Sequence, residues 1–250
     1  WSTGFAFGPW VSGFLMEVSS YGWKLSFVLS SFVALAGMFL FWILDRPFMR
    51  ENKFLIDSIG ECKKRITGDR ELLPDFAWLG WIGGTAGLIA ISTIRGIFPA
   101  FAEKELHLPE STQGNVFFSL SIIQAFTGLG MIRSKRWMYD PVCVGLFGLV
   151  GGCGLVLFAK GESPISFYIA ASLFGIYSGS FYFYFVFHAL VHPQKAPFYV
   201  SINEMLVGIM GFIAPLMAGY ISQTTKSYDS PFILGFCICL LYTSPSPRDS

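Results

Sequence analysis

The sequence is poor in charge, since Asp, Glu, Lys and Arg make up only 13% of its 250 residues while hydrophobic residues make up 53%. The net charge is +1 and no basic stripe stands out, which excludes nucleic acid as a partner. The five cysteines form no Cys-x-x-Cys pair and the three histidines have no metal-ligand spacing, so we expect no metal and no cofactor. This much apolar surface exceeds what one soluble core can bury, and it predicts a polytopic membrane protein.

A catalytic arrangement of side chains is also missing from the sequence. His107, His188 and His192 flank apolar runs without a Ser, Cys or Asp partner at a recognisable spacing. An enzyme would need acid, base or nucleophilic groups that converge on one point. We therefore expect that the protein is not an enzyme.

Apolar runs of about 20 residues, the length that crosses a hydrocarbon core, recur along the chain with short polar breaks. The breaks contain turn residues such as Asp140-Pro141 and Ser163-Pro164. The pattern predicts an all-α membrane bundle. The predicted spans are 1–18, 24–44, 76–100, 114–133, 141–160, 165–190, 198–222 and a truncated one that opens at Pro231.

The segment 45–75 differs from the rest, because its 31 residues hold 14 of the chain's 33 formal charges. It is predicted to be a loop in water, and its part 57–65 forms either a surface helix or a simple solvated linker. If this loop is cytoplasmic, so are the breaks at 134–140 and 191–197, and the cytoplasmic side then carries eleven Lys and Arg against four outside. The positive-inside rule favours that orientation.

Two distant segments repeat one small-residue and proline signature. The first reads Gly8-Pro9-x-x-Ser12-Gly13 and the second, 206 positions later, reads Ala214-Pro215-x-x-Ala218-Gly219. Small residues permit close helix approach and proline bends a helix, so both copies are candidates for helix packing or gating. Internal repeats of this kind are typical of transporters. The candidate packing residues are Gly4, Gly8, Pro9, Ser12, Gly13, Gly211, Pro215 and Gly219.

The first span, with Gly4 before this signature and Tyr21-Gly22-Trp23-Lys24 after it, resembles the fifth helix of the major facilitator superfamily. The second copy then falls in the eleventh helix, the pseudo-symmetric counterpart of the fifth. The resemblance implies that 1–44 holds the last two helices of an N-terminal half, 45–75 the cytoplasmic central loop and 76–238 the six-helix C-terminal half. Four further helices would precede residue 1. The basic loop after the fourth span departs from the family in having Ser134 where an Asp is usual.

The resemblance further implies a secondary active transporter that moves a small-molecule substrate by alternating access. We expect a monomer that crosses the plasma (inner) membrane many times, with H⁺ or Na⁺ as the coupling ion. The alternatives are a polytopic membrane enzyme and a heptahelical receptor, of which the enzyme would need converging catalytic groups and the receptor would not need a repeat.

Ionisable side chains within the spans are candidates for substrate binding or coupling. Arg95 contacts an anionic group or forms a gating ion pair, or else it snorkels to the outer interface. Glu204, preceded by Asn203, binds and releases a proton, or else it makes a structural hydrogen bond that pins its helix to a neighbour.

Uncharged polar side chains supply three more candidates. Gln124, at mid-span, hydrogen-bonds either a substrate or a facing helix. Ser172 and Tyr182 share one stripe of the sixth span, which the resemblance assigns to the cavity, although its small residues can equally serve close packing. The aromatic run 181–187 is interpreted as the end of that helix, with Tyr182 and Tyr184 as interfacial belt residues.

The polar, proline-rich string from Cys239 to Asp249 (CLLYTSPSPRD) resembles the translation of a sequencing adapter. We expect 239–250 to be non-native and the natural sequence to continue differently after Ile238. A genuine disordered tail is the alternative.

Overall fold

Eight α-helices follow one another along the part of the chain that the computed structural model describes, which is residues 2–19, 21–51, 76–134, 136–138, 140–192 and 194–243. Those residues contain no strand, and the prediction of an all-α bundle is confirmed. The helices are α1 (Ser2–Val18), α2 (Gly22–Glu51), α3 (Ala77–Lys104), α4 (Glu110–Arg133), α5 (Pro141–Lys160), α6 (Pro164–Leu190), α7 (Ala196–Thr225) and α8 (Asp229–Thr243), with a 3₁₀ turn at Arg136–Met138.

Six of these helices, α2 to α7, are long and apolar enough to cross a membrane. Helix α2 continues to Glu51, so it extends into the segment predicted to be a loop, because the charged residues after 44 do not by themselves end a helix. The surface helix predicted at 57–65 lies outside the described residues. Helix α8 runs to Thr243, past the predicted end of natural sequence at Ile238, and residues 244–250 are also outside the described part.

Local signals set the starts of α5 and α6. The Asp140 carboxylate accepts a hydrogen bond from the Val142 N–H, and Pro141 occupies the first turn, where its missing N–H costs nothing. Hydrogen bonds from the Cys143 thiol and from the Val142 N–H hold the pKa of Asp140 below its usual range. At the start of α6, Ser163 and Ser166 cap each other's backbone N–H groups.

Helix α6 is the centre of the bundle and packs against α3, α4, α5 and α7. Its aromatic rings lie directly over glycines of three neighbours, where a methyl group would collide with the ring. Apolar surface gives little drive for helix association in lipid, so such close van der Waals contact is what holds the helices together. The pairs are Phe185 on Gly84 and Phe181 on Gly87 of α3, Phe183 on Gly128 of α4, and Tyr177 on Gly151 of α5.

Glycines of α6 in turn admit the backbone of α4. A Cβ built on Gly175 would lie 2.6 Å from the Leu120 carbonyl oxygen, and one on Gly179 would lie 2.6 Å from the Gln124 carbonyl oxygen. Real Cβ atoms do not come so close, and therefore only glycine permits this crossing. The small residues of the α6 stripe thus serve helix packing.

The two copies of the repeated signature pack differently. In α1, a Cβ on Gly13 would lie 2.6 Å from the Glu110 carbonyl oxygen, while a Cβ on Gly114 of α4 would lie 2.7 Å from the Pro9 carbonyl oxygen. Glycine on each helix therefore admits the backbone of the other, and α1 crosses α4 closely.

In the second copy, Pro215 instead contacts Gly96 of α3. Gly8, Gly211 and Gly219 have open space where a Cβ would be, so these three do not mediate close packing among the described residues. Ser12 is half-buried in α1. Gly4 lies in α1, but its surroundings are outside the described side chains.

Tyr184 is half-buried, and its interpretation as an interfacial belt residue stays a prediction. Its ring is 4.3 Å from that of the buried His188 and 6.4 Å from that of the buried Trp137. The phenylalanines of the run, Phe181, Phe183 and Phe185, lie over glycines of α3 and α4.

Two glycines of α5 provide a matched test of this packing. We expect Gly151→Ala to lower the free energy of unfolding by about 1–3 kcal/mol, because the added methyl overlaps the Tyr177 ring. Gly145→Ala, where nothing lies within 4 Å, should be neutral or stabilising since alanine favours helix. Melting temperatures in detergent report both changes, and equal effects of the two substitutions would contradict the packing described.

Candidate functional site

Several polar side chains lie within otherwise apolar helices, and they share the space around α6. Burying a polar group without a partner is costly, so these positions are where binding or structural roles are expected. They are Arg95 on α3, Gln124 on α4, Ser172, Ser178 and Tyr182 on α6, and Asn203 and Glu204 on α7.

Gln124 is buried, with 8% of its surface exposed, and its Oε1 has no hydrogen-bond partner among the described residues. It follows Phe117 by two helical turns, so both side chains face the same way. The Phe117 ring packs edge-on against Phe98 of α3, with ring centroids 5.8 Å apart. Gln124 therefore faces the region between α4, α3 and α6.

Arg95 lies one turn before Phe98 on α3 and is half-buried. The Tyr182 hydroxyl of α6 interacts electrostatically with the Arg95 guanidinium and with the Glu204 carboxylate. Since α6 and α3 pack through Phe181 and Gly87, Tyr182 is directly next to that contact. Arg95, Gln124 and Tyr182 thus border one region of the bundle.

The two serines of α6 differ in their hydrogen bonding. The Ser172 hydroxyl donates to the Tyr168 carbonyl, 2.8 Å away, and so satisfies itself within its own helix. The Ser178 side chain is fully buried, and its Oγ has no partner among the described residues. Sequence reasoning missed Ser178, although its position four residues before Tyr182 places it on nearly the same helix face.

Asn203 joins three helices at one end of the bundle. Its Oδ1 accepts a hydrogen bond from the Trp81 indole N–H of α3 at 3.0 Å, and its Nδ2 donates to the Phe185 carbonyl of α6 at 3.2 Å. The side chain is 4% exposed. The structural hydrogen bond was predicted as the alternative role of Glu204, but it is Asn203 that bridges the helices, while Glu204 is exposed.

Comparison with known proteins decides the family. A family model described as Major Facilitator Superfamily matches residues 1–192. The chain belongs to the major facilitator superfamily. It is therefore a multi-pass membrane transporter of the kind that binds small molecules, as the sequence predicted. No curated protein and no solved structure matches it.

In this facilitator the basic loop after α4 is held by a tryptophan that sequence reasoning did not single out. The Trp137 indole N–H donates to the Met131 carbonyl at 2.9 Å, and its ring lies 5.5 Å from Phe187 and 6.4 Å from Phe183. A buried tryptophan with its N–H satisfied anchors the 3₁₀ turn to α6. The only signal in the sequence was an apolar residue within a basic run.

Metal-ligating side chains of the facilitator are dispersed. Among the residues that the structure describes, no three His, Cys, Asp or Glu side chains approach one another closely enough to hold a metal ion.

Gly83, Ser180 and Tyr184 line a small cavity of about 20 Å³ beside Trp137, which has room for about one water molecule.

The bridge made by Asn203 can be tested on stability. We expect Asn203→Leu to lower the free energy of unfolding by about 1–3 kcal/mol, because the half-buried Trp81 N–H loses its acceptor. Glu204→Leu, the same replacement at the exposed neighbour, should leave the melting temperature in detergent nearly unchanged. In a double-mutant cycle with Trp81→Phe, the two substitutions should be coupled, and additive effects would show that the bridge does not contribute.

Proposed function

We propose that this facilitator is a secondary active transporter that moves a small solute by alternating access, coupled to H⁺ or Na⁺. In this proposal α1 and α2 end an N-terminal half, the segment around 45–75 is the cytoplasmic central loop, and 76–238 forms the C-terminal half. The protein acts as a monomer in the plasma (inner) membrane, and 239–250 is not part of it.

The observation that carries the proposal is that Arg95, Gln124 and Tyr182 border one region between α3, α4 and α6. An arginine within a membrane helix is costly unless it has a partner or a water-filled cavity. A solute pathway between the helices supplies both. Simple helix packing requires no arginine at this depth.

The crossing of α1 and α4 supports alternating access. The helices touch at the first turns of α4, through Gly13 and Glu110 and through Pro9 and Gly114. Phe7 and Trp10 of α1 extend the contact to Phe118, with ring centroids 5.8 and 6.0 Å apart.

Toward the other end of α4, large apolar side chains are exposed, namely Phe126, Leu129 and Ile132. That end leads into the loop at 134–140, which the positive-inside rule assigns to the cytoplasm. In the proposal, helices of the other half would cover these side chains in one of the two states that alternating access requires.

Glu204 is the candidate for ion coupling. Its carboxylate interacts electrostatically with Tyr182, which also interacts with Arg95. Because Gln cannot exchange a proton, a Glu204→Gln variant should still exchange solute across the membrane but fail to accumulate it.

The test uses the full-length protein in liposomes. The liposomes are incubated with an aqueous extract of small metabolites under an inward H⁺ or Na⁺ gradient, and mass spectrometry identifies the solutes that accumulate inside. We expect accumulation that is lost when the gradient is dissipated. Arg95→Gln should reduce it at least tenfold, while Lys104→Gln, an exposed residue at the end of the same helix, should leave it unchanged.

Two results would contradict the proposal. One is that no solute accumulates beyond the level of protein-free liposomes. The other is that Arg95→Gln and Lys104→Gln behave alike while both proteins elute as single monodisperse peaks on size exclusion.

A further inference from the structure

We propose that the transported solute carries both an anionic group, bound by Arg95, and a hydrogen-bond donor, bound by the side-chain oxygen of Gln124. A small hydroxy acid or amino acid has this chemistry. The inference rests on the proposed transport function and names the substrate class for the same site.

The anionic half of the inference follows from the guanidinium. Arg95 offers five N–H donors in a planar fork, and a carboxylate accepts two of them side by side. Other contacts of Arg95 leave this possible because two parallel N–H groups suffice. A cationic solute would instead be repelled, since the half-buried Arg95 lies in surroundings of low dielectric constant.

The donor half follows from Gln124. Its Oε1 is buried and unpartnered among the described residues, and a buried acceptor without a donor costs about 1–3 kcal/mol. An O–H or N–H group of the solute would remove that cost. Ser178, also fully buried and without a partner for its Oγ, lies on the facing helix α6 and can accept or donate in the same space.

The relative heights of these residues fit a small molecule. Phe98 and Phe117 are in ring contact and mark one level of the bundle. From that level Arg95 lies three residues along α3 and Gln124 seven residues along α4, in the same direction because the helices are antiparallel. At a rise of about 1.5 Å per residue the two side chains start about 6 Å apart along the bundle axis. A carboxylate with a donor on the adjacent carbon, hydrogen-bonded at both ends, covers such a distance.

An aromatic layer bounds this space on the side of Phe98. The Phe98 ring contacts Phe158 at 5.3 Å and Phe167 at 5.2 Å, and all three side chains are fully buried. No polar solute would pass this layer as it stands. The buried Gln124 Oε1 and Ser178 Oγ thus lie on one side of this layer, and a solute would reach them when the helices that cover them move apart.

The metabolite extract described above also tests the substrate class. We expect every solute that accumulates in liposomes of the full-length protein to carry an acidic group and an O–H or N–H donor. Accumulation of neutral or cationic solutes alone would overturn this inference and leave the transport function standing. Absence of any accumulated solute would instead contradict the transport function itself, so the two failures are distinguishable.

Variants of Gln124 test the role assigned to its side chain. Gln124→Leu should reduce uptake of the identified solute at least tenfold, because the donor loses its acceptor. Gln124→Glu should abolish it, because a carboxylate at this position would compete with the anionic group for Arg95. Gln113→Leu, the same change where the amide only donates to the Leu108 carbonyl, serves as the control.

Size-exclusion profiles of the variants separate a folding defect from a binding defect. If well-folded Gln124→Leu and Gln124→Glu proteins take up the solute at the rate of the Gln113→Leu control, the side chain does not bind it and the inference is wrong.

Discussion

The contact of α6 aromatic rings with glycines of its neighbours is the constraint on which the rest of the structure depends. The rings lie over glycines at places where a methyl group would collide with them. Phe185 and Phe181 contact α3, Phe183 contacts α4 and Tyr177 contacts α5. Because lipid offers no hydrophobic gain for bringing helices together, shape complementarity of this kind must supply the association. It leaves little freedom for one helix to slide past another, and α3, α4, α5 and α6 therefore form one packed unit.

The polar groups take their positions from that unit. Gln124 faces inward because Gly175 and Gly179 bring α4 against α6, and Tyr182 approaches Arg95 because Phe181 is seated on Gly87. Asn203 then ties α7 to α3 and α6. Helix α1 meets the unit along an extensive crossing with α4. In the proposed alternating access, α1 would move relative to this unit at its crossing with α4.

Sequence reasoning predicted the helices well because a membrane span is recognised from the apolar composition of about 20 consecutive residues. That composition does not depend on how the helices pack. It also singled out Arg95 and Gln124, since polar residues are rare in such spans. It missed Ser178, Trp137 and the seating of the aromatic run, because these depend on which residue of another helix lies opposite. The repeated small-residue and proline signature likewise predicted close helix packing but not which helix lies opposite. Gly13 packs on α4, whereas Gly211 and Gly219 face open space.

The central claim is that one packed unit moves against α1. Distances between spin labels test it most directly. In the full-length protein in liposomes, one label pair at Val18 and Glu110 spans the α1 and α4 crossing, and a second pair at Lys104 and Glu162 lies within the unit. With and without the metabolite extract, we expect the first pair to give two distance populations whose ratio shifts, while the second gives one unchanged population. A shift in the second pair, or a single fixed distance in the first, would contradict the account.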